Sequence, residues 1–331
     1  MKEVDKDTEM SGYIPPNFIE LPPIFIRPIR PIKAIKWVFV EFLFPWGFLF
    51  VGLAILSWNV LTPQIDGSGA PSLSFLGQIW LKNAVLLTAL AGSLHWRLYS
   101  RVGQGDKFKF SQRWLSKKSS RFLWKNQAYD NAFWSIISGV TVWSLFEGIT
   151  LWAWATGVIP KASWPANAGY ITALTFVFFF VSSSHFYLIH RVLHWKPLYR
   201  SVHELHHRNV NTGPWSGISM HPVEHLLFFS MFFVWWLVPA HPVVIILTGF
   251  FKGLGPAVTH SGFDRVLVGG RQISAGDWFH DLHHRHFETN YGNLEAPFDW
   301  VMNTWHNGSD EAQRAMVARR KRRAGASDRS P

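Results

Sequence analysis

YITALTFVFFFVSSSHFYLIHRVLH, residues 170–194, decides how this chain is built. It opens as a run of aromatic and aliphatic side chains long enough to cross a hydrocarbon core, which takes roughly 20 residues of helix. Its last turns carry His190 and His194. Positions four apart share a helix face, so the two imidazoles leave the end of a membrane span together. The stretch predicts a membrane bundle with chemistry gathered at one end.

Working outward, three more apolar runs of spanning length precede it, at residues 37–58, 75–96 and 133–155. A fifth apolar region, residues 225–255, is interrupted by Pro239 and by His241-Pro242 and predicts a broken helical hairpin. The composition agrees: 19 Trp and 28 Phe against 16% charged residues are too aromatic and too charge-poor for an ordinary soluble enzyme. The expected fold class is all-α, an integral-membrane bundle of four spans plus the hairpin, with a cytoplasmic histidine-rich cap. Four regions are expected: a flexible cytoplasmic arm over 1–35, membrane helices with a basic loop over 36–186, a histidine-rich catalytic domain over 187–308, and a basic tail over 309–331.

Cytoplasmic loops collect lysine and arginine. Nine of them lie between the second and third spans, from Arg97 to Lys125, whereas residues 61–74 carry none. That segment is expected in the cytoplasm, and counting crossings puts both termini and the histidine clusters on the same side. The net charge of +11 sits near membrane-proximal ends and not on one continuous face, which argues against nucleic acid as a partner.

The chain has no cysteine, so thiolate zinc sites, iron–sulfur clusters and disulfides are excluded, and His, Asp and Glu remain as strong metal ligands. Sixteen histidines concentrate in HRVLH (His190, His194), HELHH (His203, His206, His207), HPVEH (His221, His225) and HDLHHRH (His280, His283, His284, His286). In the His-x-x-His-His phrases the adjacent pair diverges, so one helical turn can feed two neighbouring ions. Crowding imidazoles beside lipid is costly unless a divalent metal coordinates the neutral rings. The isolated His95, His185 and His241 are expected as packed or hydrogen-bonded core residues. Imidazole suits Fe, Zn, Cu or Ni, so ligand type alone leaves the metal open.

HRVLH, HELHH, HPVEH, THSGFD (259–264), HDLHH and NYGN (290–293) resemble, in order, the histidine boxes of the fatty acid hydroxylase and sterol desaturase superfamily. The resemblance implies a membrane di-iron oxygenase that hydroxylates or desaturates a lipid with O2 and electrons from a separate electron-transfer protein. Zinc fits the same donors. Carried onto this chain, it implies His190, His203, His206, His260 and His280 on one metal and His194, His207, His283 and His284 on the other, with His225 or Asp264 completing the second. His221 is expected either as a further metal ligand or, like Glu224, as a partner that orients the ligating rings. Glu204 and Asp281 are expected to point away from the ions. Glu147, inside the third span, is a candidate for substrate or proton contact, or else pairs with a neighbouring helix. Two rival readings are a zinc hydrolase using His203, Glu204 and His207, and a metal transporter. The sequence leaves the lipid, the oxidised carbon and the oligomeric state open.

Overall fold

A computed structural model describes residues 12–67 and 69–327. Residues 1–11 and 328–331, parts of the expected arm and tail, lie outside the described residues.

The chain is mostly helical. Four helices are long and apolar enough to cross a membrane: α3 (Leu73–Ser100), α4 (Gln127–Thr156), α5 (Ala168–Leu193) and α7 (Pro242–Thr259). Before them stand α1 (Pro31–Phe42) and α2 (Trp46–Leu61), bent by 66° at their junction. Residues 37–58 are expected as one span. Pro45 lies in the break, and a proline cannot donate to the helical ladder, so the run divides into two arms. The expected hairpin is present as α6 (Pro222–Trp236) followed by α7. His241 ends the break by accepting a hydrogen bond from Val243 N at 3.3 Å, capping α7.

α7 is the central element. Its most apolar window is 72% buried, against 33% for α3 and α5, so it is sheathed by the others while they turn apolar side chains outward. Leu81 and Val85 on α3 and Val177, Val181 and Leu188 on α5 are exposed large apolar residues on that outer surface, as helices facing lipid require. The close packing of α7 on α4 depends on Gly249 and Gly253. A Cβ at either would collide with the Trp143 ring. Small residues four apart let a helix backbone approach its neighbour this closely.

The α4 carboxylate Glu147 is fully buried and pairs with Lys82 of α3, with Asn83 Nδ2 at 3.1 Å and Trp143 Nε1 at 2.8 Å. It ties helices together, the second of the two roles expected for it. The ion pair leaves neither partner uncompensated in the apolar interior.

The chain segments that carry the clustered histidines meet at one end of the bundle. Tyr99, at the end of α3, donates its hydroxyl to the carbonyls of Thr212 and Ser261. The basic segment after α3 folds against the same end: Phe110 N donates to Gly262 O at 3.0 Å and Asp264 N to Phe108 O at 2.8 Å. Residues 12–30 run along it, with Tyr13 N on Lys109 O and Ile19 N on Asn307 O.

Two elements depart from the all-helical, tailed expectation. β1 (Arg265–Val268) and β2 (Arg271–Ser274) form an antiparallel hairpin whose turn, Gly269-Gly270, has φ of 55° and 77°. A Gly-Gly pair is a two-residue hairpin-turn signal that VLVGGRQI carries openly. The other is that residues of the basic tail are helical, as α9 (Asp310–Ser327). Alanine and arginine are strong helix formers, and Ser309 caps its start by accepting from Ala312 N.

Candidate metal centre

Five elements deliver imidazoles to one buried space. α5 ends on His190, and His194 follows its last turn. A π-helical turn, Tyr199–His203, runs into the α-helical turn Glu204–His207 and brings His203, His206 and His207 round to face α5. His260 follows α7, where Gly262, at φ 78°, lets the chain pass against Tyr99. The helix α8 (Trp278–His286) supplies His280, His283 and His284. Its N-terminus is fixed by Asp277, whose Oδ1 accepts from Phe279 N and His280 N.

Nine histidines fall into two groups, each with candidate ligand atoms within 4.8 Å of one another: His190, His194, His203, His207 and His283; and His206, His260, His280 and His284. Their members are the nine expected, divided differently. His190 and His203 stand with His194, and His284 with His260. The reason is helical: adjacent residues diverge by about 100° while residues four apart align. HELHH therefore gives its i, i+4 pair, His203 and His207, to the first group and His206 to the second. HDLHH does the converse, giving His280 and His284 to the second and His283 to the first.

His194 Nε2 lies 3.2 Å from His190 Nε2, 3.2 Å from His207 Nε2 and 3.1 Å from His283 Nε2, and the last two are 3.1 Å apart. In the second group His260 Nε2 and His284 Nε2 are 3.2 Å apart. A nitrogen carries one proton or one lone pair, so three such approaches at a single Nε2 are not three hydrogen bonds. A metal about 2.1 Å from each nitrogen spaces its neighbours about 3.0–3.4 Å apart, which is the spacing found.

The far side of several rings is held by acceptors. His190 Nδ1 donates to Tyr291 O and His283 Nδ1 to Thr289 O, both at 2.6 Å; His203 Nδ1 donates to Glu224 Oε1 at 2.8 Å and His260 Nδ1 to Pro256 O at 3.1 Å. Such bonds fix the tautomer that turns Nε2, with its lone pair, inward. His203 Nε2 is buried with no hydrogen-bond partner, as a ligand nitrogen facing a cation would be. Burial, followed by mutual repulsion among the rings, pushes His203, His207, His280 and His284 well below the usual imidazole range. Burial lowers His206 to about 4. The rings are neutral at pH 7, the form that binds metal. An all-imidazole donor set, neutral, convergent and backed by acceptors, fits two divalent transition-metal ions.

The other expected candidates lie outside both groups. His225 has both nitrogens engaged, Nδ1 with Ser138 Oγ at 2.9 Å and Nε2 with Ile218 O at 3.0 Å. Asp264 pairs with Arg265 at 3.0 Å. Neither belongs to the two groups of converging donors. His221 caps α6 by accepting from Val223 N. Glu204 is exposed, and Asp281 is buried against Arg285 at 2.7 Å. His185 bonds Ser230, His95 stacks on Tyr99, and His286 stacks on His306.

Two features went unread in the sequence. The NYGN loop was noted only as a motif. Its Tyr291 carbonyl orients His190, and it is braced by Asp299, which accepts from Tyr291 N and Gly292 N. Asn290 adopts φ 53° and ties the loop to Phe279 O and His306 O through Nδ2. The second feature is a cavity of about 400 Å³ that runs from His190, His203, His206, His260 and His280 out between α1, α2 and α5, walled by Trp37, Phe42, Phe50, Phe179, Phe186 and Phe228. Its carboxylates include Asp277 and Glu295, which burial raises to about 6 and about 7.

Residues 175–304 match the family model for fatty acid hydroxylase. Among curated proteins, the chain is 29% identical over 136 residues to the Delta(7)-sterol 5(6)-desaturase of Saccharomyces cerevisiae, covering 41% of this chain and 36% of that protein. It is 29% identical over 168 residues to the methylsterol monooxygenase erg25A of Aspergillus fumigatus, covering 46% and 53%. It is 31% identical over 121 residues to methylsterol monooxygenase 1 of Gallus gallus, covering 36% and 41%. The matches thus span about a third to a half of these relatives' lengths. No solved structure matches the chain. The segment that matches the fatty acid hydroxylase family model holds all nine converging histidines, and the chain is distantly similar to sterol desaturases and methylsterol monooxygenases.

Proposed function

We propose that this protein is a membrane di-iron oxygenase that hydroxylates a lipid carbon, or desaturates at it, with O2 and electrons from a separate protein. The observation that carries the reading is the pair of buried imidazole groups opening onto one apolar cavity at the end of a membrane bundle. Two iron ions in these groups would supply activation of O2 and removal of hydrogen from an unactivated C–H bond. His190, His194, His203, His207 and His283 would hold one, and His206, His260, His280 and His284 the other.

The protein's own residues do the rest. Glu224 and the carbonyls of Thr289 and Tyr291 hold ligand rings at fixed tautomers. The aromatic wall of the cavity excludes water and lays an apolar chain against the histidines. A cavity of this size lies at the lower end of the range for small-molecule sites. Electrons have an approach of their own. Phe287 lies with its ring 4.9 Å from that of His207 and lines an open groove together with Arg285, Arg314, Arg320 and Lys321, a basic surface suited to an acidic donor protein. With the basic segment of residues 101–126 at the same end, positive charge favours a cytoplasmic site.

A zinc hydrolase would need Glu204 at the metal, and Glu204 is exposed. A transporter would spread its ligands along the spans, and these gather at one end. Metal analysis of the purified chain joined to an O2-consumption assay with membrane lipid extracts tests the proposal. About two irons per chain with O2-dependent oxidation of a lipid are expected. A metal-free protein, or lipid cleavage that proceeds without O2, overturns it.

A further inference from the structure

Three lysines are buried among the described residues, and their partners differ in a telling way. Lys82 pairs with Glu147. Lys109 is capped by the carbonyls of Ser111 and Arg113. Lys252 of α7, only 3% exposed, has one long hydrogen bond, to Ser182 O at 3.3 Å, and no carboxylate within ion-pair distance among the described residues. Its ammonium lies over two aromatic faces, 4.7 Å from the Phe228 centroid and 5.5 Å from that of Phe186. An ammonium has three donors, so most of its capacity is unspent. A charge taken from water without a partner costs several kcal/mol, and an ionisable side chain within a membrane span points to function.

Lys252 lines the cavity that leads to the histidines. The carboxylates lining the same cavity have other occupations. Glu224 accepts from His203, Asp277 caps α8, Glu295 accepts from Ser183 Oγ at 2.9 Å, and Glu41 sits at an exposed position on α1. Lysine 252 is thus the cavity's one cation among the described residues. It also stands close to the metal groups. One ring links them: the Phe186 centroid lies 5.5 Å from Lys252 Nζ and 5.0 Å from that of the stacked His190 imidazole.

We propose that Lys252 is a substrate-binding residue for the anionic end of a lipid, a carboxylate, and that it sets which carbon reaches the metals. The inference rests on the di-iron reading for its chemistry but not for its binding. A carboxylate on Lys252 receives the two unspent donors, and the chain behind it passes Phe186 toward His190. Only carbons within the first several bonds of the carboxylate span that one-ring gap, so oxidation falls near the polar end of the chain.

The test is equilibrium binding to the full chain in detergent micelles, with hexadecanoate, methyl hexadecanoate and hexadecanol as probes of equal chain length. The protein is expected to prefer hexadecanoate over both neutral probes by at least about tenfold. Lys252→Met should abolish that preference while keeping hexadecanol affinity and metal content, and Lys252→Arg should retain it. Because the preference is measured on the unaltered protein, a misfolded methionine variant leaves the test decisive. Equal affinity for the three probes, or a preference that survives K252M, overturns the proposal. A preference lost in K252M from a protein that carries no iron would sustain this inference while ending the di-iron reading.

Discussion

Glu224 is the residue on which the first group of rings leans most, because among the described residues it is the one carboxylate that holds a member of that group, accepting from His203 Nδ1. Partners of this kind that orient a ligand are worth roughly 10–100-fold in metal affinity. Glu224→Ala is expected to lose metal to a competing chelator with an affinity lower by that factor, and Glu224→Gln, which keeps an acceptor oxygen, to lose less. Proton linkage operates on the same rings. Histidines of the unfolded chain take protons near the model value of 6.5, whereas His206 in the folded protein takes one only near 4. The unfolded state therefore binds more protons between those values, and the metal-stripped protein should lose stability as pH falls from 6.5 toward 4 and hold it above. Thermal unfolding of stripped protein across that range checks the sign.

At the scale of elements, the placement of α7 matters most, because it carries Lys252 and leads into His260. Its approach to α4 leaves no room for a Cβ at Gly253 against Trp143. Gly253→Val is expected to force the helices apart at a cost of about 1–3 kcal/mol, read as a lower yield of folded protein and a lower unfolding temperature. The helix α8 depends on its cap. Asp277→Ala removes the acceptor for two backbone N–H groups and should cost about 0.5–2 kcal/mol, with metal retention falling because His280, His283 and His284 ride on that helix. A variant that retains both stability and metal would remove the cap from the account of the site.

The whole molecule offers a clean test of orientation because it has no cysteine of its own. A cysteine at Lys118, in the basic segment at the histidine end, should resist a membrane-impermeant maleimide in intact cells and react once they are permeabilised. One at Ala166, an exposed position in the loop between α4 and α5, should react in both. The reverse pattern would place the site outside. Chelation reports on the assembled fold. Ions that bind only the folded chain stabilise it by mass action, so stripping them should lower the unfolding temperature, and restoring iron should return it.

Length and period told most of the architecture from the sequence alone. A run of about 20 apolar residues has one low-energy form in a membrane, and the unbroken runs appear as α3, α4 and α5. The identity of the nine converging histidines was also legible, since i, i+3, i+4 spacing is a local property of a helix. The turn at Gly269-Gly270 and the break at Pro45 were written in the sequence just as locally and were passed over. Which rings stand together was not local. His190 meets His283, and His206 meets His260, across distant stretches of chain, and His225 stands outside both groups because α4 and the backbone before α6 present partners to both its nitrogens. The unpaired charge of Lys252 became visible only when the neighbours of α7 were in place. Sequence fixes what each side chain can donate or accept; packing alone decides what it meets.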